Sequence, residues 1–452
     1  MMSLSLLADK LQAKHHGRDA VFTGVSTDTR ALAPGDLFVA LTGPRFDGHG
    51  FLPDAIAAGA AGALLGRALD TPLPYVEVPD TRQALGAFAA SWRAQFKVPV
   101  VAVTGSNGKT TVKEMLAAIL ACRGKGCVTR GNLNNDIGVP LTLLRLRADD
   151  GYAVIEMGMN HRGEIGCLTR LTRPTIALIT NAAEAHLAGL GSVEEVARAK
   201  GEIFAGLADS GTAVINADDR YCELWKTLAA PRRLLTFGLE HKADVHADYA
   251  PDTQGGALRI KTPEGDIDMR LPLLGKHNAL NALGATAAAL AAGAALPDVR
   301  AGLEKLKAVA GRLELKDGIS GARVIDDTYN ANPASLAAGL QVLRDFPGER
   351  ALVLGDMAEL GPAAADIHRR VGELAQRLGI QRLFTLGELS RHAVEAFGRG
   401  ARHFDSPEML VDALMDCLHG EMTVLVKGSR VMRMERVVAG ITRPTAANGR
   451  MR

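Results

Sequence analysis

The segment Thr104-Gly105-Ser106-Asn107-Gly108-Lys109-Thr110-Thr111 places small residues, a lysine and several hydroxyls within eight positions. Small side chains let backbone N–H groups approach phosphate oxygens, and a helix starting there adds positive potential. Lys109 can neutralise β- and γ-phosphates, and the Thr110 hydroxyl can ligate Mg²⁺. The apolar run Val98-Pro99-Val100-Val101-Ala102-Val103 precedes the turn as a buried parallel strand would, and a helix is predicted from Thr110 to about Ala121. Strand, turn and helix are the context a phosphate-binding loop requires, although Val103 stands where the eight-residue form has its first glycine. ATP is the expected cofactor.

Three further residues fit metal chemistry beside that loop. Glu156 ends the strand-like run Tyr152 to Glu156, where a carboxylate on the loop's side of the sheet can hold Mg²⁺, a hard cation that prefers oxygen. His186 follows the run Thr175 to Thr180 and is a candidate for a second metal site, two ions being expected in all. Lys200 interrupts an apolar helical stripe of Val193, Val196, Ile203 and Leu207, behind a start signal with Ser192 as N-cap and Glu195 three residues on. Burial favours the neutral amine. A neutral amine can add carbon dioxide to form a carbamate, an oxygen donor for Mg²⁺. The pattern equally allows Lys200 to snorkel or to pair with an acid such as Glu184.

These residues must be carried by a multi-domain scaffold, because 452 residues exceed one core and two to four domains are expected at the usual ~100–200 residues each. Strand and helix signals alternate throughout, which predicts α/β architecture. A first segment runs to about Phe96 with short strands at Leu37 to Leu41 and Tyr75 to Val78. A second begins at Val98 and adds a strand at Ala213 to Asn216. A third starts near Gly311, with parallel strands at Val324 to Asp326, Ala351 to Leu354, Arg382 to Leu386 and Thr423 to Lys427. Net charge is +2 and no dense basic run with interleaved aromatics occurs, so nucleic acid is not an expected partner. The 5 scattered cysteines form no CxxC pair, and the start lacks a signal-peptide pattern. The alanine-rich stretch Ala279 to Leu296, broken by Asn281, Gly284 and Thr286, reads as a packed helix rather than a membrane span. A soluble, cytoplasmic protein is the expectation.

Taken together, the motifs resemble the Mur ligase family, ATP-dependent enzymes that build the peptidoglycan stem peptide. The resemblance covers nearly the whole chain. It is carried by Thr104 to Thr111, Gly131-Asn132-Leu133-Asn134-Asn135-Asp136-Ile137-Gly138-Val139-Pro140, Ala199-Lys200-Gly201-Glu202-Ile203-Phe204, Gly275-Lys276-His277-Asn278-Ala279-Leu280-Asn281 and Gly311-Arg312-Leu313-Glu314. Three segments are similar to the branch that adds D-alanyl-D-alanine to UDP-N-acetylmuramoyl-tripeptide: Asp326 to Ser335, Leu354 to Gly361, and Val426 to Arg430. The DNPR-type signature of the branch adding the third residue is absent.

The resemblance implies an N-terminal UDP-binding α/β domain (1–97), a central P-loop ATPase with a mostly parallel sheet (98–311) and a C-terminal Rossmann-like domain (312–452). It implies catalytic roles for Lys109, Lys200, His186 and Arg312, with Lys200 carbamylated. His277, Asn278 and Asn281 would lie around adenine and ribose, while Asp326, Tyr329 and Asn330 would orient nucleotide and dipeptide. Asn132, Asn134, Asn135 and Ser335 would contact substrate. In the first domain Ser26, Thr29, Arg30, Arg45, Gly48 and His49 resemble UDP-contacting segments. A monomer whose domains close about hinges near Phe96–Val98 and Ala310–Arg312 is expected. Three other readings remain open: another ligase of this scaffold such as folylpolyglutamate synthetase, a P-loop ATPase that drives a partner, and a nucleotide-sugar-binding protein without catalysis.

Overall fold

The computed structural model describes residues 1–44, 46–184 and 190–443. Three sheets organise the chain, and each follows from its strand patterns. The first has strands β1 (Lys14–His16), β2 (Gly24–Ser26), β3 (Asp36–Val39), β4 (Gly62–Leu65) and β5 (Tyr75–Glu77) in the order β1-β5-β4-β3-β2. All its pairings are parallel except β1 with β5. Helix α1 (Thr81–Arg93) leaves this sheet, with Asp80 as N-cap accepting from the backbone N–H groups of Arg82 and Gln83.

The second sheet has nine strands. β6 (Val100–Thr104) is the expected buried strand, fully apolar until Thr104, and α2 (Lys109–Ala121) follows the glycine-rich turn. β7 (Cys127–Val128), β8 (Ala153–Glu156), β9 (Ile176–Ile179), β10 (Thr212–Asn216) and β11 (Arg233–Gly238) complete the parallel part, with helix α3 (Val193–Gly201) between β9 and β10. The order β7-β8-β6-β9-β10-β11 puts β6 between β8 and β9. Connections leave β6 in opposite directions, so a crevice opens at its carboxyl end. The sheet then continues as an antiparallel meander, β12 (Val245–Asp252), β13 (Gly255–Thr262) and β14 (Gly265–Leu271), which the sequence reading did not anticipate. Here alternation of buried and exposed residues replaces continuous apolar runs, as a one-sided sheet requires. The alanine-rich segment forms α4 (Lys276–Ala291), buried almost all round. Among the described residues no helix is long and apolar enough to cross a membrane.

The third sheet has β15 (Glu314–Asp317), β16 (Arg323–Asp327), β17 (Glu349–Gly355), β18 (Arg382–Leu386), β19 (Ala401–Phe404) and β20 (Met422–Lys427) in the order β15-β16-β20-β17-β18-β19. Only the edge strand β15 runs antiparallel. Helices α5 (Pro333–Arg344) and α6 (Ala364–Arg377) cover it, α5 starting at Asn332, whose side chain accepts from Ser335 N–H.

The units are joined unequally. One apolar core runs from Leu4, Phe22 and Phe88 in the first unit through Trp92 to Ala102, Ile155 and Ile179 in the second, with Phe96 and Val98 packed on it. Trp92 Nε1 donates to Leu146 O at 3.1 Å, and Arg93 Nε to Thr172 O at 3.1 Å. The third unit has cores of its own, which Leu274 of the second unit joins. Polar contacts complete that seam: Arg312 donates to Thr110 Oγ1 at 3.1 Å and Asn332 Nδ2 to Asn107 Oδ1 at 2.8 Å. A shared core resists sliding more than a seam made of Leu274 and a few hydrogen bonds worth ~1 kcal/mol each. Closure should therefore hinge at 310–312 rather than 96–98. Small-angle scattering with an ATP analogue and both substrates should show compaction fitted by movement of the third unit alone; a fit that needs the first unit to swing would refute this.

Candidate active site

At the carboxyl ends of β6, β8 and β9, facing the third unit, lies a cleft of 1480 Å³. Its floor is the turn between β6 and α2. Gly108 has φ +82°, and a Cβ there would stand 2.4 Å from Asn281 Oδ1 on α4. Gly105 is closer still to its neighbour, since a Cβ would stand 1.7 Å from Thr180 Oγ1. The turn is bolted to the segment after β9. Thr180 Oγ1 donates to Asn107 O at 2.6 Å, Ser106 N–H to Asn181 O at 2.9 Å, and Asn107 N–H to Asn181 Oδ1 at 3.0 Å. Thr104 is buried below the turn and donates to Met157 O at 2.9 Å. Thr110 and Thr111 line the cleft.

Lys109 Nζ donates to the carbonyls of Gly105 at 2.5 Å and Ser106 at 3.3 Å, so its amine lies curled over the loop it serves. Burial pushes its pKa down, Glu156 opposes this, and Arg312 adds to it. Glu156 is buried. Its Oε1 accepts from Asn134 Nδ2 at 2.9 Å, while its Oε2 has no hydrogen-bond donor and meets Lys113 Nζ at 3.8 Å. A buried carboxylate oxygen without a donor is an acceptor awaiting a partner. Among the described residues no group of three or more His, Cys, Asp or Glu side chains forms a metal cage.

Lys200 is 1% exposed, on the buried face of α3 with Val196, and Ser192 Oγ caps the helix through Glu195 N–H at 3.2 Å. Among the described residues its amine has no hydrogen-bond or ion-pair partner. Burial pushes its pKa well below the usual lysine range, and the nearby charge of Lys109 pushes the same way. His186 lies outside the described residues, as does Arg45.

The cleft's far wall comes from α4 and the third unit. The half-buried His277 is pushed down to about 4, first by burial and then by the charge of Lys427. Asn278 and Asn281 are buried, Asn278 Nδ2 donating to Leu274 O at 2.8 Å and Asn281 Nδ2 to Asn278 Oδ1 at 3.2 Å. Arg312 stacks over the Tyr329 ring at 4.3 Å. Asn330 and Ser335 line the wall, with the Ser335 hydroxyl taking the backbone N–H of Asn332 at 3.1 Å. Asp326 faces away: Lys316 and the Thr328 hydroxyl hold its carboxylate at 2.8 and 2.7 Å. Its neighbour Asp327 lines the cleft instead and pairs with buried Lys427 at 2.6 Å. Alternation along β16 puts consecutive side chains on opposite faces, so a motif match alone does not choose between the two aspartates.

Asn134 and Asn135 line the cleft, and Asn132 does not. Ser26, Thr29, Arg30, Gly48 and His49 sit in the first unit, away from its lining. There Arg30 forks onto Asp28, and buried His49 accepts the Gly66 N–H at 2.8 Å. Sequence reasoning missed Lys113, Thr180, Asn181, Asp327 and Lys427 as site residues. Lys113 had a legible signal, one helical turn beyond Lys109.

Family models match in chain order: Mur ligase family, catalytic domain, over residues 21–93, Mur ligase middle domain over 103–289, and Mur ligase, glutamate ligase domain, over 311–430. The chain is 46% identical to UDP-N-acetylmuramoyl-tripeptide–D-alanyl-D-alanine ligase of Escherichia coli (strain K12), over 97% of this chain and 98% of the relative. It resembles the crystal structure of MurF from Acinetobacter baumannii with a TM-score of 0.91 and 35% identity, covering 97% and 98% of the two chains. MurF ligase from Thermotoga maritima in complex with ADP is similar with a TM-score of 0.83 and 27% identity, covering 92% and 96%.

Gly108→Ala tests the floor directly. A left-handed backbone costs an alanine about 1–2 kcal/mol, and the contact with Asn281 adds to this. The thermal midpoint should fall and ATP binding should weaken, as read by calorimetry; unchanged ATP affinity would detach this turn from the nucleotide site.

Proposed function

The chain belongs to the Mur ligase family, and from that premise we propose that it joins D-alanyl-D-alanine to UDP-N-acetylmuramoyl-tripeptide at the expense of ATP, in peptidoglycan synthesis. One observation carries the reading: the phosphate-loop floor and the wall of Asp327, Asn330 and Ser335 face each other across a single cleft. The floor suits ATP and the wall a second substrate. Readings as a bare ATPase or a nucleotide-sugar binder give that wall no role.

The chemistry follows from charge. The tripeptide's terminal carboxylate attacks the γ-phosphorus of ATP, forming a C–O–P linkage as the bond to ADP breaks. The dipeptide amine then attacks the acyl carbon, a C–N bond forms, phosphate leaves, and the nitrogen gives up a proton. Bringing a carboxylate to a triphosphate is the main obstacle. Lys109, leaving its loop carbonyls for the phosphates, and Arg312, at the seam beside Thr110, stabilise the charge on the transferring group. His277, neutral at pH 7, together with Asn278 and Asn281, borders the adenine and ribose. Tyr329, held by Arg312, and Asn330 orient nucleotide and dipeptide. Asn134 and Asn135 meet the tripeptide, while Ser26, Thr29, Arg30, Arg45, Gly48 and His49 hold the UDP moiety in a first domain of 1–97, ahead of domains 98–311 and 312–452.

The donor set fits Mg²⁺: Thr110 and Glu156 would hold one ion, and His186 with a carbamylated Lys200 a second, supplying further charge neutralisation at the phosphates. The buried Glu156 Oε2, which has no hydrogen-bond donor, supports the first site. A buried Lys200 amine whose pKa is pushed well down, with no partner among the described residues, supports the carbamate.

Phosphate release from ATP with UDP-MurNAc-tripeptide should depend on D-alanyl-D-alanine, with pentapeptide detected by mass; release that ignores the dipeptide sinks the ligase reading. Lys109→Ala should lose ~10²–10³-fold or more in rate. With ¹³C-labelled bicarbonate, wild type should show a carbamate carbon resonance that Lys200→Ala lacks; identical spectra would remove the carbamate.

A further inference from the structure

The segment from Thr180 to Ala183 grips the phosphate loop on one side and is itself gripped from behind by the turn that follows β10. Toward the loop, Asn181 Oδ1 accepts the Asn107 N–H at 3.0 Å and its Nδ2 donates to Asn107 O at 3.1 Å. Ala183 N–H donates to Ser106 Oγ at 2.9 Å. Away from the loop, Asn216 at the end of β10 is buried and donates from Nδ2 to Thr180 O at 2.8 Å. Asp219, three residues on, accepts the Ala182 N–H on Oδ2 at 2.8 Å and the Tyr221 N–H on Oδ1 at 2.9 Å. Ala182 is thus tied backward between two residues that are tied forward.

Among the described residues Asp219 makes no ion pair, so backbone N–H groups are what its carboxylate holds. Burial pushes its pKa up, while the Ala182 and Tyr221 N–H groups and then the charge of Arg220 draw it back. Hydrogen bonds to an ionised acceptor are roughly twice as strong as neutral ones, which suits a carboxylate used as an anchor. The adjacent Asp218 offers an internal contrast. It accepts the N–H groups of Leu239 at 2.6 Å and His241 at 2.8 Å, and so secures the connection from β11 to β12 instead. Two neighbouring aspartates of one turn hold two different segments, and of these two anchors only that of Asp219 leads to the loop.

We propose that Asp219 is a positioning residue of the nucleotide site, acting through Ala182 on the loop 105–108, with Asn216 as the second anchor of the same segment. This rests on the reading of that loop as the ATP site and adds the support behind it. With its outer side released, segment 180–183 would keep its contacts with the loop but lose its fixed place in the sheet. Loop N–H groups that must be brought into line as the ligand arrives bind more weakly than groups already in line.

Calorimetry with ADP, calorimetry with the UDP-tripeptide and amide hydrogen exchange test it together. In Asp219→Ala the ADP Kd should rise about tenfold, the size of one lost charged hydrogen bond. The tripeptide Kd should stay within about twofold. The Ser106 and Asn107 amides, which donate to Asn181, should exchange faster although neither touches the substituted residue. Asp219→Asn should show the same changes in smaller measure, and decides the matter if the alanine variant does not fold. Asp218→Ala should lower the thermal midpoint yet leave the ADP Kd and the exchange of Ser106 and Asn107 as in wild type. An unchanged ADP Kd or unchanged loop exchange on substituting Asp219 overturns the proposal, as does an equal effect from Asp218→Ala. Wild-type protein that binds no ADP would instead overturn the reading of the loop as the ATP site.

Discussion

The close approach of the β6–α2 turn to Thr180 and Asn181 is the contact on which the site depends. A phosphate loop works only if its N–H groups and lysine are fixed before the ligand arrives, because preorganised dipoles incur no reorganisation cost during reaction. Here the fixing is done from outside the loop. Thr180 and Asn181 take up the carbonyl and N–H of Asn107, and Gly105 fits against Thr180 at a distance no other residue allows. Since β9 pairs with β6 in parallel register, the sheet itself sets that spacing. Sheet order thus becomes loop geometry, and loop geometry becomes charge placement.

The same logic extends across the seam. Asn107 is held by the second unit through its backbone and by the third through its side chain, and Thr110 meets Arg312. Both contacts touch the floor on which the phosphates would rest. Movement of the third unit therefore alters the floor as well as the cleft's width. The first two units, fused by a common apolar core, form the fixed reference for that movement.

Much of this was legible in the sequence because it is written in short local patterns. The buried strands β6, β8, β9 and β10 are uninterrupted apolar runs, the turn is a dense motif, and the Ser192 cap announces α3. The antiparallel strands β12 to β14 were missed because an exposed, one-sided sheet alternates polar with apolar residues and leaves a weak signal. Asp327 was passed over for Asp326 because strand alternation makes the choice depend on which face the cleft occupies. Thr180 and Asn181 act through contacts 73 or more residues away in sequence, which no local pattern encodes.

Lysine burial gives the sharpest internal comparison. Lys113, Lys200 and Lys427 are each at most 2% exposed. Two of them follow the ordinary rule for buried charge: Lys427 pairs with Asp327, and Lys113 meets Glu114 at 3.1 Å and Glu156 at 3.8 Å. Lys200 has no such partner among the described residues, although Leu or Met could fill its place on α3 without any electrostatic cost. An amine whose pKa burial and Lys109's charge both push down is a poor structural element, and the more of it is unprotonated the better a nucleophile it is toward carbon dioxide. The carbamate proposed for Lys200 would exchange that amine for an anion beside Lys109 and so give the buried position a counter-charge that no described residue supplies.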